Sequence, residues 1–238
     1  MKDLIREYCN KKDKRAYDEI LYEYKCKYIY NESKVEGKIT PEEQLGIAVV
    51  YDYINNFDFD KDYFNIFTTS LLIHQKLYSK CFDKSFGGTL RNTQAILNDT
   101  NIEVMSAEEA KIYFNSFIKK SDEIFLPLME GNILKYIENC IFITTELIKA
   151  QPFIDGNKRT FRSLLNLLLK RISLPPVYIS IQYRKEYKSA LLKALKFSDY
   201  DELYQLYYLL IDNSIKELAL EKDDSSKIKK YFNKKTNG

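Results

Sequence analysis

The sequence predicts an all-α fold, and this prediction depends on three observations. The 238 residues include only seven glycines and five prolines, while Leu, Ile, Lys, Glu and Tyr are abundant, so turn signals are few. Hydroxyl residues followed three positions later by glutamate mark two helix starts. Apolar residues recur at helical spacing, most regularly at Phe161, Leu164, Leu165, Leu168 and Leu169.

Each predicted helix has local evidence for its start, its end or its buried face. Thr40 with Pro41 and Glu43 forms a capping box, and Ser106 with Glu109 repeats the pattern. A pair of prolines ends the helix that contains the regular apolar spacing. The predicted helices cover residues 4–29, 41–55, 61–79, 107–119, 133–150, 157–171, 184–196 and 200–218.

Two segments depart from the helical pattern. The run YNESKVEGK, residues 30–38, is expected to separate the first two helices. Residues 81–104 contain Gly87, Gly88, several Thr and Asn residues and the apolar run QAIL, a composition that favours a small β-hairpin or flap. The predicted fold is therefore all-α with a small β-hairpin flap.

The charges are too evenly balanced to indicate a nucleic-acid or membrane partner. There are 37 basic and 34 acidic residues, which gives a net charge of +3 and weak long-range attraction. The cysteines at positions 9, 26, 81 and 140 form no CxxC pair, and a single histidine is too few to complete a metal site with them. We expect free thiols in a reducing cytoplasm.

The chain is expected to form one domain, or one domain with a small helical addition, and its 45% hydrophobic content is enough for a sizeable core. The start, MKDLIREYCNKK, is charged where a signal peptide is apolar, and no apolar run approaches the roughly 20 residues of a membrane span. We therefore expect a soluble cytoplasmic protein. Residues 1–55 form N-terminal helices, residues 56–220 the main core and residues 221–238 a flexible polar tail.

The stretch QPFIDGNKRTFR, which ends at Arg162, has the composition of a phosphate site at a helix start. The first N–H groups of a helix have no partner within it, and Gly156 and Asn157 tolerate the tight conformations that turn such groups inward. Arg159 and Arg162 share one helical face, and Asp155 at the mouth would hold Mg²⁺ beside a polyphosphate. A capped helix with solvated arginines is the alternative, but all these features within twelve residues favour the anion site.

This stretch resembles the signature of the Fic (filamentation induced by cAMP) domain family, H-P-F-x-D/E-G-N-G/K-R-x-x-R. Beyond it, LLIHQKL resembles the family's upstream helix, GGTLRNTQAIL its Gly-x-x-Arg flap, and RKEYKSALLKAL the segment after the motif. The similar segments span residues 30–212, most of the chain. The resemblance implies a Fic-type helical domain whose core is the segment 56–220.

The resemblance also implies transfer of AMP from ATP to a hydroxyl group of a protein substrate, with Mg²⁺ as cofactor. In such enzymes the residue matching Gln151 is the histidine that deprotonates the hydroxyl, and the residue matching Asp155 binds Mg²⁺. The nucleotide is held by the residues matching Gly156, Asn157, Lys158, Arg159 and Arg162. The protein substrate would dock by strand pairing along the flap, at Gln94, Ala95, Ile96 and Leu97.

Two positions depart from the family's motif. Gln151 replaces the histidine, and its amide takes up no proton near neutral pH, although general-base help is worth roughly 10² to 10⁴ in rate. Lys158 stands where glycine is commonest, which resembles the death-on-curing toxin branch and its phosphate transfer. His74, the only histidine, is expected to be structural. Slow AMP transfer, nucleotide binding by a catalytically dead pseudoenzyme, and phosphate transfer therefore stay open.

The segment NESKVEGK resembles the family's inhibitory motif, S/T-x-x-x-E-G/N. Glu36 and Gly37 fit it, whereas Glu32 occupies the position where Ser or Thr is usual. By resemblance, Glu36 pairs with Arg162 and fills the space that the γ-phosphate needs. A solvated glutamate in a turn is the alternative.

Other partners have weaker support. The Lys-rich segment 227–235 could contact nucleic acid, but a charged chain end is usually only solvated. The sequence leaves open the identity of the target protein and the choice between a monomer and a homo-oligomer.

Overall fold

Helices dominate the computed structural model, which describes residues 14–35, 37, 39–95, 102 and 104–218, with side chains from residue 20 onwards. This confirms the all-α prediction. The α-helices are α1 (Lys14–Val35), α2 (Pro41–Asn56), α3 (Ile66–Leu77), α4 (Ala107–Lys120), α5 (Leu126–Met129), α6 (Ile133–Ala150), α7 (Asn157–Lys170), α8 (Arg184–Phe197) and α9 (Asp201–Glu217). Within these ranges, no helix combines the length and the apolar character needed to cross a membrane.

The centre of the fold is α7, the helix that the sequence predicts most firmly. Apart from Lys158 and Lys170, its residues are buried, and α2, α3 and α6 pack around it. A helix that is enclosed on nearly all sides belongs to the core and does not merely cover it. The first turn of α7 is therefore held rigidly, which matters because the candidate phosphate site lies there.

Both predicted capping boxes are confirmed. The backbone N–H of Glu43 donates to Oγ1 of Thr40 at 3.2 Å, and the backbone N–H of Thr40 donates to the Glu43 carboxylate at 2.8 Å. Ser106 and Glu109 make the same reciprocal pair at the start of α4. These local bonds satisfy N–H groups that a helix start leaves without partners.

The end of α1 corrects the predicted break at residues 30–38. The helix continues to Val35, because no glycine or proline interrupts it before Gly37, whose φ of +99° is the left-handed conformation that ends helices. Glu32 is consequently a helical residue facing the core and not part of a turn. Glu36 lies outside the described residues.

The helix predicted over residues 61–79 is shorter than expected. It begins at Ile66, because the Asn65 side chain accepts hydrogen bonds from the backbone N–H groups of Phe67 and Thr68 and so caps the first turn. No sequence pattern predicted α5 or two short 3₁₀ segments, Ser121–Phe125 and Ile181–Tyr183.

The predicted flap is only partly described. An isolated antiparallel bridge joins Leu90 to Phe153, and the backbone N–H of Arg91 donates to the Pro152 carbonyl at 2.9 Å. The flap therefore pairs with the loop that precedes α7. Residues 96–101 and 103 lie outside the described residues, so the hairpin stays a prediction.

Candidate functional site

The loop between α6 and α7 turns the chain tightly into the start of α7. Gln151 and Gly156 both have left-handed backbones, with φ of 49° and 71°. A Cβ on Gly156 would lie 2.6 Å from the Tyr78 hydroxyl, so only glycine fits there. No described side chain caps the first turn of α7, and its N–H groups are open to an anion.

Asn157 fastens this loop from inside. Its Oδ1 accepts from the backbone N–H of Phe153 at 3.0 Å, and its Nδ2 donates to the Phe153 carbonyl at 2.8 Å and to Oε1 of Gln151 at 3.0 Å. The side chain is buried. Asn157 therefore contributes its backbone to the cradle at the helix start, while its amide holds the loop in shape.

Asp155 lies at the mouth of the cradle, with 68% of its side chain exposed. Its Oδ2 accepts a hydrogen bond from the Tyr78 hydroxyl at 3.0 Å and lies 3.3 Å from Nη2 of Arg159. Burial raises the pKa of Tyr78 above its ordinary value, so the hydroxyl keeps its proton and orients the carboxylate. One exposed, oriented carboxylate suits Mg²⁺, which retains most of its waters and shares phosphate oxygens.

Arg159 is buried beneath the mouth of the cradle. Its Nη2 lies 2.7 Å from Oε1 of Glu43 on α2 and donates to the Tyr78 hydroxyl at 2.8 Å. Burial by itself lowers the pKa of Arg159, but the electrostatic effects of Tyr78 and Glu43 outweigh it and the pKa is raised. The guanidinium is thus a fixed positive charge beside the helix start.

Arg162, one turn further along α7, pairs with α1. Its Nε and Nη2 each lie 2.8 Å from Oε2 of Glu32, and both side chains are almost completely buried. The Arg162 guanidinium also lies over the Tyr187 ring, 5.8 Å from its centroid. The two arginines on one face of α7 therefore each contact a carboxylate from the N-terminal helices.

Gln151 is hydrogen-bonded through both its side-chain amide and its backbone carbonyl. Its Nε2 donates to the Ile148 carbonyl at 2.6 Å, its Oε1 accepts from Asn157, and its backbone carbonyl accepts from Nε of Arg91. Only 8% of the residue is exposed. The amide therefore ends α6 and supports the loop, and it supplies no base near neutral pH.

His74 links the flap to the loop, as a structural histidine would. The backbone N–H of Gly88 donates to its Nδ1 at 2.8 Å, so Nε2 carries the proton and donates to the Asp155 carbonyl at 3.0 Å. The ring stacks on Phe153 with centroids 3.9 Å apart. Burial lowers the pKa of His74 to about 4, which keeps the imidazole neutral.

The structure brings most of the predicted site residues together around one helix start. Lys158 lies half-buried in that first turn, and Gln94 donates to the Val104 carbonyl at 3.4 Å in the flap. Glu36, Ile96 and Leu97 lie outside the described residues. Sequence reasoning missed the site contacts of Glu32, Glu43, Tyr78 and Arg91.

An open helix start with two buried arginines, an exposed carboxylate and an adjoining flap defines a helical domain whose candidate phosphate site lies at the start of α7. Residues 67–169 match the model of the Fic/DOC family. This confirms the resemblance seen in the sequence.

Two related proteins are similar in sequence to parts of this chain. The chain is 30% identical over 155 residues to "Protein adenylyltransferase Fic" of Aedes aegypti, a match that spans 64% of this chain and 30% of that protein. It is 42% identical over 55 residues to "Protein adenylyltransferase fic-1" of Caenorhabditis elegans, over 23% of this chain and 11% of that protein. The chain thus spans less than a third of the length of these relatives.

Two solved structures share the fold. Fic-1 from C. elegans superposes with a TM-score of 0.65 at 21% identity, covering 97% of this chain and 68% of that one. A Fic domain containing signaling protein from Bacteroides thetaiotaomicron gives a TM-score of 0.65 at 18% identity, covering 85% of this chain and 88% of that one.

Proposed function

We propose that the protein is an adenylyltransferase that transfers AMP from ATP to a hydroxyl group of a protein substrate, slowly because of Gln151. The observation that carries this proposal is the uncapped start of α7 between Asp155 and two buried arginines, Arg159 and Arg162. The names of the relatives support the same chemistry.

In the proposed reaction the substrate oxygen attacks the α-phosphorus, the bond from that phosphorus to the β-phosphate bridging oxygen breaks, and pyrophosphate leaves. The hydroxyl proton must pass to water or buffer, because the Gln151 amide accepts none. The backbone N–H groups at Gly156 and Asn157 hold phosphate oxygens, with Arg159 and Arg162 neutralising the remaining charge. Electrostatic stabilisation of this kind supplies much of the catalysis of phosphoryl-type transfer.

Asp155 is the residue that would hold Mg²⁺. Bound there, the ion would neutralise charge on the phosphate oxygens. Tyr78 keeps the carboxylate oriented by its 3.0 Å hydrogen bond, and the exposed side of Asp155 leaves room for metal-bound water.

The flap is the proposed docking site for the protein substrate. Its bridge from Leu90 to Phe153 fixes it beside the loop that contains Gln151. A substrate segment that pairs with Gln94, Ala95, Ile96 and Leu97 would present its hydroxyl near the α-phosphate, with main-chain hydrogen bonds providing the affinity.

The proposed activity is restrained by the end of α1. Arg162 cannot donate fully to a phosphate while its Nε donates to Glu32 and its Nη2 lies 2.8 Å from the same carboxylate oxygen. Glu36, four residues after Glu32 in the sequence, is proposed to fill the γ-phosphate position. Both glutamates would then act on one arginine.

A second candidate function is nucleotide binding without chemistry. The side-chain amide of Gln151 favours it, because its Nε2 and its Oε1 are each hydrogen-bonded within the loop region and the residue is buried. Phosphate transfer, suggested by Lys158, is the third candidate.

One labelling experiment separates these functions. The wild-type protein and a Gln151→His variant are incubated with Mg²⁺, cell lysate and ATP labelled at either the α- or the γ-phosphate. Transfer of the α-label, faster in Gln151→His by roughly 10²-fold or more, is the expected result. An additional Arg162→Ala substitution should remove it.

Other results would point elsewhere. Transfer of the γ-label alone would favour phosphate transfer. ATP binding without any label transfer in either protein would favour the pseudoenzyme. Absence of ATP binding by calorimetry, in the wild type and in a Glu32→Gln variant, would overturn all three functions.

A further inference from the structure

Glu43 uses its two carboxylate oxygens for different purposes. Oε2 accepts the backbone N–H of Thr40 at 2.8 Å and completes the capping box of α2. Oε1 lies 2.7 Å from Nη2 of Arg159. The Glu43 side chain is only 14% exposed, so the start of α2 is tied to the phosphate cradle through one fixed residue.

The two terminal nitrogens of Arg159 have unequal surroundings. Nη2 is surrounded by three oxygens, from Glu43, Tyr78 and Asp155. Nη1 is buried and has no hydrogen-bond partner among the described residues. A buried charged donor without an acceptor is costly, whereas a phosphate oxygen is the strong acceptor that it lacks.

We propose that Glu43 is a positioning residue for nucleotide binding. By holding Nη2 of Arg159, it fixes the guanidinium so that Nη1 donates to a phosphate oxygen of the nucleotide. This inference rests on the proposed function, and it also links the α1–α2 connection to the nucleotide, because Glu43 is anchored at Thr40, the residue immediately before α2.

A carboxylate that merely competed with phosphate for Arg159 would weaken nucleotide binding, whereas a positioning carboxylate strengthens it. Glu43 is poorly suited to leave, because its departure would also break the hydrogen bond to the N–H of Thr40. Glu43 therefore stays paired with Arg159 when the nucleotide binds. The two roles predict opposite changes in ATP affinity when the charge of Glu43 is removed.

The informative variant is Glu43→Gln. Glutamine also serves in a capping box, so the helix start keeps its acceptor while Arg159 loses the carboxylate. We expect the Kd for ATP, measured by calorimetry with Mg²⁺, to rise about tenfold, the effect of one charge-assisted hydrogen bond. Glu42→Gln, in the same turn but exposed, should leave the Kd unchanged.

Two further variants separate positioning from helix capping. Thr40→Ala removes the other half of the capping box and should lower the Tm while leaving the Kd for ATP unchanged. In an Arg159→Ala background, Glu43→Gln should have no further effect on the Kd, because the two residues act together. A residue acting only on helix stability would give additive effects.

The outcomes distinguish this inference from the proposed function. ATP binding that is unchanged or tighter in Glu43→Gln, measured both alone and combined with Glu32→Gln, overturns the role of Glu43 and leaves the proposed function standing. Failure of the wild type and of every variant to bind ATP overturns both.

Discussion

Glu32 and Arg162 lie 130 positions apart in the chain and form a buried ion pair, in which one carboxylate oxygen is 2.8 Å from both Nε and Nη2. The pair fastens α1 to the central helix through an arginine of the proposed phosphate site. Under the proposed function, Arg162 therefore has two competing partners: the carboxylate that holds α1 in place and the phosphate groups of a nucleotide. Stability and nucleotide binding should respond in opposite directions when Glu32 changes.

The first prediction concerns Glu32→Gln. The free energy of unfolding should fall by about 2 kcal/mol, because a buried charge loses its partner but keeps a neutral acceptor. ATP should bind more tightly, because Arg162 is released for phosphate. Denaturant unfolding and calorimetry measure the two effects. Glu23→Gln, an exposed change on the same helix, is the control, and equal ATP affinities would contradict the prediction.

The second prediction concerns Gly156→Ala. The new Cβ would lie 2.6 Å from the Tyr78 hydroxyl, so the loop or Tyr78 must shift and Asp155 loses its orientation. We expect ATP binding to be lost, as measured by calorimetry. Gly131→Ala is the matched control, since its φ of +70° imposes similar strain but no atom lies within 4 Å of the new Cβ. Equal losses in both variants would show that strain alone is responsible.

The helices that the sequence predicts well are those with local signals. The apolar spacing of α7 and the capping box at Thr40 act within a few residues of each other, so they can be read without knowing the fold. The predicted end of α1 was wrong, because the polar residues at 31–34 resemble a turn while their backbone is helical. Glu32 packs against Arg162, which lies in a distant segment, so no local pattern indicates this contact.

The candidate site divides in the same way. Asp155 to Arg162 belong to one loop and one helix start, so their proximity follows from the sequence. Glu43 carries only the signature of a cap in the sequence, and nothing local indicates its contact with Arg159 across the fold. The sequence around Tyr78 likewise gives no sign of its role in the site, because that role depends on how closely the end of α3 approaches Gly156.

The third prediction concerns Arg91→Met. The guanidinium donates to the backbone carbonyls of Gln151, Thr93 and Met105. These bonds join the flap to the loop after α6 and to the segment just before α4. Its loss should lower the free energy of unfolding by about 3 kcal/mol, because buried carbonyls lose their donors. Hydrogen exchange should also quicken at the amide of residue 91.

Arg171→Met is the control for Arg91, since Arg171 is half-exposed and its ion pair with Asp60 is 3.5 Å long. That variant should keep slow exchange at the Arg91 amide. If Arg91→Met were as stable as the wild type, or if its flap amides stayed equally protected, the guanidinium would not be what holds the flap to the loop.

The last prediction concerns pH and His74. The folded pKa of about 4 lies below the ordinary value of 6.5, so the unfolded chain binds a proton first as the pH falls. The contribution of the neutral His74 to the free energy of unfolding is complete above pH 6.5 and is lost as the pH falls through 4. The loss is up to about 1.4 kcal/mol per pH unit. Because no other imidazole exists in the chain, His74→Gln should flatten this slope in urea unfolding between pH 6.5 and 4.5. Parallel stability curves for the two proteins would show that His74 is not the group being titrated.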